Sequence, residues 1–329
     1  MLERKIISIN AFITDLQEEI AELCCIISEG AFLEREILVG IFMHAISQGT
    51  SHWALSHVNR WWRHVTFSSG PLWSKIRLSR WASNAYLTGY VVCHSMEQFE
   101  QVVNHSQHEK LDLDLSLFKS DKSQSKRHSA DAVSVEWVTR IVTFLNGARV
   151  FRRARSLCIR QSCAKAFNKA SFDGIDFPEL ERLSIYGSCP TMQSRIAITA
   201  GKLKIISIDR KLTSSDASND DDENYQSLEW VTPLLTTLAT FRFASLNAGF
   251  DDYFEGNFHL FSHLRILVLT GVYIKSEEAT TIVDFVHLKT LTIKQTTIVW
   301  SLRLPNLNHL TSKSSILALE MTNRSTSPS

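Results

Sequence analysis

The sequence predicts an α/β fold in two parts, a helical N-terminal region followed by a repeated array of short parallel strands joined by helices or loops. Two observations support this prediction. Apolar residues recur at three- and four-residue steps through residues 33–78, as they do on one face of a helix. From residue 154 onward, a six-residue frame with apolar first, fourth and sixth positions returns several times, which is typical of a structural repeat.

The composition is that of an ordinary globular protein. The chain has 329 residues, 44% of them hydrophobic and 21% charged, so it is long enough to bury a sizeable core. Lys and Arg number 35 against 34 Asp and Glu, which gives a formal net charge of +1. This balance gives no electrostatic reason to expect nucleic acid or an anionic membrane as the main partner.

The cysteines and the hydropathy pattern indicate the compartment. Six cysteines are spread thinly without a C-x-x-C motif, which predicts the reduced thiols of an intracellular protein. Residues 1–12 lack the uninterrupted apolar core of a signal peptide, and no run of about eighteen apolar residues predicts a membrane span. We expect a cytoplasmic or nuclear protein that has no membrane partner.

Residues 1–30 have a heptad pattern, in which apolar residues are separated by alternating steps of four and three. The stripe consists of Leu2, Ile6, Ile9, Ile13, Leu16, Ile20, Leu23 and Ile27. One hypothesis is coiled-coil pairing through residues 2–27, with a second copy or with a partner. The other is a helix that packs on the chain's own next helices, because so short a segment is marginal as an isolated coil.

Residues 31–80 predict a compact helical unit. Gly49 breaks its first helix, Ser51 is the predicted N-cap of the next one, and the Gly70-Pro71 pair ends the run. The unit is too small to bury much surface alone, so it should pack on a neighbour or a partner. We expect Trp62 and Trp73 to be buried within it. Trp53 and Trp61 are the candidates for its exposed side.

Residues 81–153 predict connecting helices and a first strand. Leu111–Leu117 alternates strictly between apolar and polar residues, as a half-buried strand does. Residues 119–130 are polar and charged, which indicates an exposed loop. Helical spacing returns over residues 131–153, where Gly147 marks the predicted end of a helix.

Residues 154–321 contain the repeat. Its frame begins at Ala154, Leu180, Leu203, Leu238, Leu264, Leu288 and, weakly, Leu307. Most intervals are about 19 to 26 residues, in or next to the range of leucine-rich repeats, and each unit should add one short strand to a concave face. One longer interval contains an acidic insert at 214–225, which is predicted to loop out. The tail at 322–329 is predicted to be disordered.

Three ordered blocks within the helical unit resemble a known family. The blocks EILVGIF, LSHVNRWWRHV and PLWSKIRL are similar to the F-box of fungal F-box proteins, with Glu34-Arg35 in place of the family's Pro-Pro and Asn59 in place of its frequent Cys. A helix with this kind of sequence just before the box also resembles that family. The resemblance implies the substrate-recognition adaptor of a Skp–cullin–F-box ubiquitin ligase. The F-box would bind a Skp-type adaptor, and through it a cullin, while the repeats would hold an unknown protein substrate.

The resemblance and the repeat geometry each indicate site residues. By position in the F-box, the residues expected to bind the adaptor are Leu33, Ile37, Leu38, Ile41, Phe42, Leu55, Val58, Trp62 and Trp73. The candidates for substrate binding, which lie beside the strand leucines, are Ser184, Tyr186, Ser207, Arg242, Val268, Thr270, Thr292 and Lys294. The alternative function is a non-ligase interaction scaffold, in which a degenerate F-box remains as a structural cap for the repeats.

The sequence does not predict an enzyme, a cofactor or a metal site. None of the motifs G-x-S-x-G, G-x-x-x-x-G-K, H-E-x-x-H and G-x-G-x-x-G occurs. The acidic run at 220–223 lacks the alternating oxygen ligands and central Gly of an EF-hand, so a solvated insert is favoured over a calcium site. A phosphate-binding role for the basic residues at 126–128 and 149–155 is disfavoured by the near-zero net charge.

Overall fold

The computed structural model describes residues 14–15, 17–19, 33–78, 89–115, 135–159, 174–186, 190–210, 229–245, 258–275, 282–299, 301–313 and 316–317. The few described residues of the heptad segment, 14–15 and 17–19, are helical. The rest of that segment, the polar loop 119–130, the acidic insert 214–225 and the tail 322–329 lie outside the described residues.

Three helices begin the described range 33–78, and their ends are set by local sequence. They are α1 (Arg35–Ser47), α2 (His52–His57) and α3 (Arg60–Ser68). Gly49, with φ of 101°, follows α1 and allows the chain to turn. The hydroxyl of Ser51 accepts a hydrogen bond from the Trp53 N–H at 3.2 Å, which confirms the predicted cap. Asn59 caps α3 in the same way, through Trp62 N–H at 2.8 Å.

The helical unit ends earlier than the sequence pattern predicts. After a 3₁₀ turn at Gly70–Trp73, the residues Lys75–Leu78 form a strand, β1. Ile76, Arg77 and Leu78 are all buried, and β1 pairs with a strand on either side. Pairing on both edges and burial on both faces select a strand here, and a four-residue segment has no periodicity that would reveal it.

The rest of the described chain contains four further helices, all of them before residue 205, and fourteen strands. The helices are α4 (Met96–His105), α5 (Val135–Gly147), α6 (Val150–Arg153) and α7 (Pro190–Thr199). The strands are β2 (Val91–Cys93), β3 (Leu111–Leu115), β4 (Ala154–Ile159), β5 (Arg182–Tyr186), β6 (Ile205–Arg210), β7 (Thr240–Ser245), β8 (Ile266–Thr270), β9 (Tyr273–Lys275), β10 (Ile282–Asp284), β11 (Thr290–Lys294), β12 (Thr297–Val299), β13 (Ser301–Arg303), β14 (His309–Lys313) and β15 (Ile316–Leu317). Short 3₁₀ turns occur at Glu229–Leu234 and Phe258–His263.

Ten strands form one parallel sheet in the order β14-β11-β8-β7-β6-β5-β4-β3-β1-β2. From β3 onward, each new strand of this sheet is added beside the preceding one, so sequence order and spatial order agree. Two smaller parallel sheets, β9-β12-β15 and β10-β13, come from short strands between the main ones. The α/β class and the parallel arrangement of short strands predicted from the sequence are therefore confirmed.

Each predicted repeat frame supplies one strand of the main sheet. The frame-opening leucines Leu180, Leu203, Leu238, Leu264 and Leu288 are all buried. In a recurring bridge, the N–H of the residue after each leucine donates to a carbonyl of the preceding unit, as from Lys204 to Glu181 at 2.9 Å and from Arg265 to Ala239 at 2.9 Å. These bridges extend the strand pairing by one residue and hold successive units in the same register.

One apolar core runs through the sheet and the helical unit. The phenylalanines that lead the repeat phrases, Phe177, Phe261 and Phe285, are fully buried in it. Leu38 and Phe42 of α1 belong to the same cluster as the strand residues Ile76 and Leu113. No helix within the described ranges is long and apolar enough to cross a membrane.

The strand β3 differs from its predicted half-burial. All five of its residues are buried, including Asp112 and Asp114, which are 5% and 4% exposed. A buried carboxylate requires a charged or hydrogen-bonding partner, since its transfer from water is costly. The partners are arginines of neighbouring strands, and they form part of the surface described below.

Candidate functional site

The helical unit exposes a line of apolar side chains on α1. Leu33, Ile37 and Ile41 are four residues apart and are 41%, 51% and 44% exposed. Ile37 and Ile41 lie one turn apart on one face of α1, and Leu33 comes just before the N-cap of that helix; together these three form what we term the apolar stripe. Val58, at the end of α2, is 50% exposed on the same unit. Side chains of this kind leave water on association, which makes the unit a candidate docking surface.

The nine residues predicted to bind an adaptor fall into two groups. The exposed ones are Leu33, Ile37, Ile41 and Val58. The core contains Leu38, Phe42, Leu55 and Trp73, each no more than 5% exposed. Trp62 is half-buried, with its ring centroid 4.8 Å from that of Phe42. The buried four support the helices from within, and a partner can reach only the exposed group directly.

An aromatic cluster fills the interior of the helical unit. Trp73 is fully buried and donates its indole N–H to the Thr66 carbonyl at 2.6 Å. Its ring centroid lies 5.3 Å from Trp53 and 5.6 Å from Phe67. Trp53, predicted on the exposed side, is thus half-buried in this cluster. Trp61 is also half-buried and lies against the ring of His64 at 5.8 Å.

The exposed face of α3 is basic, a feature that the sequence pattern did not predict. Arg60, Arg63 and His64 are exposed, and with Phe67 and Ser68 they line an open cleft of about 530 Å³. Their spacing of three and four residues places them on one helix face. The sequence from residue 37 to residue 78 contains no Asp or Glu, so no acidic residue of the unit beyond Glu34 and Glu36 offsets these charges.

Arg35, at one of the positions where the resembling family has Pro-Pro, ties two helices together. Its guanidinium donates to the Ser68 carbonyl at 2.7 Å, so the start of α1 is fixed to the end of α3. The amide of Gln107 donates to the same carbonyl at 3.3 Å. Arg35 therefore has a structural role beside the apolar stripe.

One face of the main sheet, opposite the buried leucines, is open to solvent. The strand register aligns Cys158, Ser184, Ser207, Arg242, Val268 and Thr292 in a single row across six strands. A second row aligns Tyr186, Asp209, Ala244, Thr270 and Lys294. All eight predicted substrate-binding residues lie in these two rows, on what we term the open face. Each is exposed or half-buried.

An ion-pair cluster lies at the β1–β5 end of the open face. The Asp112 carboxylate accepts from Arg155 Nη2 at 2.9 Å and from Arg182 Nη2 at 3.2 Å, while Arg77 pairs with Asp114. Arg155 is brought there by a register shift between β3 and β4, which pairs Leu111 with Ala154 but Asp112 with Ser156. A shift of this kind re-aims a side chain, here toward the aspartate.

The cluster changes the acidity of its members. Burial raises the pKa of Tyr90, and the negative charges of Asp112 and Asp114 raise it further. The hydrogen bond to Asp112 raises the pKa of Arg155, so this arginine is charged at all physiological pH values. Arg77 lies over the Tyr90 ring at 5.6 Å from its centroid. The cluster is thus a charged group at one end of the open face.

The basic residues near position 150 do not gather into a phosphate-binding group. Arg155 binds Asp112, Arg152 pairs with Asp176 at 3.3 Å, and Arg153 donates to the Ser106 hydroxyl at 3.3 Å.

The sequence pattern does not predict the ion pairs of Asp112 and Asp114, because the alternation of a strand does not say which residues its polar face contacts. The available signal was a frame arginine on each following strand, at positions 155 and 182.

Within the described ranges, no three His, Cys, Asp or Glu side chains gather into a group that could hold a metal ion. Comparison of the chain with protein-family models, curated proteins and solved structures gives no match. The two surfaces that are candidates for function are therefore the apolar stripe and the open face.

Proposed function

We propose that this chain is the substrate-recognition adaptor of a Skp–cullin–F-box type ubiquitin ligase. In this proposal the helical unit docks on a Skp-type adaptor, which links it to a cullin, and the open face of the sheet holds a protein substrate. The chain itself supplies no covalent chemistry. It acts by raising the effective concentration of the substrate beside a charged ubiquitin-conjugating enzyme.

The apolar stripe is the observation that supports this proposal most directly. Ile37 and Ile41 on one face of α1, and Leu33 just before it, are about half exposed, although the adjoining face of the same helix is packed into the core. Ile37 and Ile41 fall within the EILVGIF block that resembles the F-box. A helix with two apolar faces is stabilised fully only when a second surface covers the outer one.

The open face supports the second half of the proposal. It combines exposed polar, charged and aromatic side chains on a rigid parallel sheet, and a rigid scaffold reduces the entropy lost on binding. Every strand between the two edge strands, β2 and β14, is paired by backbone hydrogen bonds on both sides, so the side chains keep fixed spacings. Spacing of this kind suits recognition of an extended protein segment.

Co-purification tests the proposal. Full-length protein co-expressed with a tagged Skp-type adaptor is expected to co-purify with it. The double substitution Ile37→Asp and Ile41→Asp should abolish co-purification, because two carboxylates would be desolvated at the interface. Both positions are exposed, so the variant should keep the wild-type melting temperature within a few degrees.

The matched control is Ile198→Asp, the same change at an isoleucine of α7 that is 76% exposed and lies in the repeat region. It should leave co-purification unchanged. Failure of the wild-type protein to bind the adaptor would reject the ligase function.

The second candidate function is a non-ligase interaction scaffold in which the helical unit is a structural cap. The shared core of α1 and the first strands favours it, since the unit covers the start of the sheet whether or not a partner docks. The same co-purification separates the two functions, because the scaffold predicts no adaptor binding by the wild-type protein.

A further inference from the structure

Three arginines project on the open face between β4 and β7. The side chains of Arg155 and Arg182 are 37% and 45% exposed, although the aspartate that both contact is only 6% exposed. Arg242, two strands further along, is exposed. Cationic groups therefore lie at the surface of this face, and the carboxylate lies beneath them.

The charges of this cluster do not balance. Arg77 and Asp114 form one neutral pair, whereas Arg155 and Arg182 share the single carboxylate of Asp112. Among these three side chains, two guanidinium groups on one carboxylate leave a net charge of +1; Glu181 also acts electrostatically on Arg155, and Asp209 lies in the second row of the open face. Arg242 adds a further positive charge and makes no ion pair with any residue in the described part of the chain. Burial of Asp112 needs one cation, and the face supplies more.

Arg182 also has hydrogen-bond donors to spare. Both of its bonds to Asp112, at 3.2 and 3.3 Å, come from Nη2. Its Nε and Nη1 donate to no acceptor among the described residues. A guanidinium has five N–H groups in a planar fork that fits a carboxylate or a phosphate, so Arg182 can take a second anion without releasing the first.

Asp112 fixes these guanidinium groups before any ligand arrives. A surface arginine normally loses rotamer freedom when it binds an anion. Here the buried carboxylate holds Arg155 by two bonds, at 3.1 and 2.9 Å, and holds Arg182 by its Nη2. Asp112 is thus a positioning residue for the two arginines.

The spacing of the arginines matches an extended chain. Arg182 on β5 and Arg242 on β7 are two strands and two residues apart in register, or about 12 Å between Cα atoms. An extended peptide covers about 13 Å in four residues. Ser184 and Ser207 lie between them in the row of Arg242 and offer hydroxyl groups to a backbone.

We propose that Arg155, Arg182 and Arg242 form an anion-recognition site for an extended acidic segment of a protein partner, whose anionic side chains three or four residues apart contact Arg182 and Arg242. This inference rests on the proposed function, since it defines the class of substrate that the open face takes. The anion is a carboxylate or a phosphate, which share charge and fork geometry.

Fluorescence anisotropy with the purified full-length protein tests this proposal. The probes are three fluorescein-labelled ten-residue peptides that have glutamate, glutamine or phosphoserine at alternate positions, with glycine between. The glutamate or the phosphoserine peptide is expected to bind, and more weakly as salt rises. The glutamine peptide should not bind. The stronger of the two anionic peptides identifies the source of the anion.

Substitution locates the site. The double change Arg182→Gln and Arg242→Gln should weaken binding by about tenfold or more, since two charge-assisted contacts are lost. The matched control is Arg140→Gln, which removes one charge from an exposed side chain of the helix α5, outside the open face, and should change binding less than about twofold. Equal binding of the glutamine peptide, no binding of any probe, or an unaffected double variant would overturn the proposal.

The assay contains no Skp-type adaptor, so its outcome is independent of the docking test. Peptide binding without adaptor co-purification would leave the anion-recognition site in place and reject the ligase function. Adaptor co-purification without peptide binding would support the ligase function and overturn the anion-recognition site.

Discussion

His52 lies in the helical unit with its Nε2 2.7 Å from the Leu72 carbonyl oxygen and its ring 5.4 Å from that of Trp73. Burial lowers its pKa from 6.5 to about 4, and the hydrogen bond to Leu72 opposes this only in part. The folded protein therefore holds a neutral ring, whose Nε2–H donates to the carbonyl. The unfolded chain takes up a proton at higher pH than the folded one.

This difference makes stability pH-dependent. Between pH 6.5 and about 4 the unfolded state binds one more proton at His52, so stability falls as pH falls, by up to about 3 kcal/mol. His52→Gln keeps an N–H donor for Leu72 and removes the titration. We expect the loss of unfolding free energy between about pH 7.5 and pH 4.5 to be about 2 kcal/mol smaller in this variant.

Urea denaturation at the two pH values measures this effect. His105, whose pKa is also lowered by burial, is unchanged in the variant, so the comparison isolates His52. An identical pH dependence in both proteins would show that His52 is not held neutral by the fold.

At the scale of a single element, α1 has two apolar faces with different duties. Leu38, Phe42 and Ile46 face the core, and Leu33, Ile37 and Ile41 form the apolar stripe. Ile41 and Phe42 are adjacent in sequence, and both fit the apolar periodicity of the helix. Ile41 is nevertheless 44% exposed, whereas Phe42 is fully buried. Their truncation should therefore separate folding from docking.

We expect Phe42→Ala to lower the free energy of unfolding by about 3–5 kcal/mol, because it leaves a cavity beside Trp62. Ile41→Ala should change it by less than about 0.5 kcal/mol. Chemical denaturation of both variants measures the difference. Similar losses at the two positions would contradict the assignment of the two faces.

At the scale of the whole molecule, the two edges of the main sheet are protected unequally. The edge strand β2 has Val91 and Cys93 buried, and α4 packs on it. The opposite edge, β14, has all five residues exposed and, among the described strands, pairs in this sheet with β11 alone. Its polar sequence HLTSK suits an edge, since charged side chains discourage pairing with another chain.

Hydrogen exchange should therefore be graded along the sheet. Amides of β14 are expected to exchange fastest among its strands, and those of β5 to β7, paired on both sides over a buried core, slowest. Exchange measured by mass spectrometry tests this gradient. Protection of β2 close to that of the central strands is the internal control, and equal protection of β14 would contradict the gradient.

The sequence by itself determined the parts of the fold that depend on local pattern. The repeat frames place Leu183, Phe241 and Leu291 in strands with buried apolar faces, because a period of two together with a fixed frame specifies which side chains point inward. The same alternation placed Ser184 and Arg242 on the opposite, open face. The Ser51 cap and the end of α5 at Gly147 were also predictable, since each depends on a few neighbouring residues.

Only the tertiary structure decided which of these residues meet. Asp112 is 43 residues from Arg155 and 70 from Arg182, and the register of three strands brings them together. Lys75–Leu78 forms a strand because it pairs with β2 and β3. Which face of α1 is buried and which is exposed depends on where the sheet lies. Periodicity is a local property, whereas ion pairs and the choice between two apolar faces are set by contacts between distant segments.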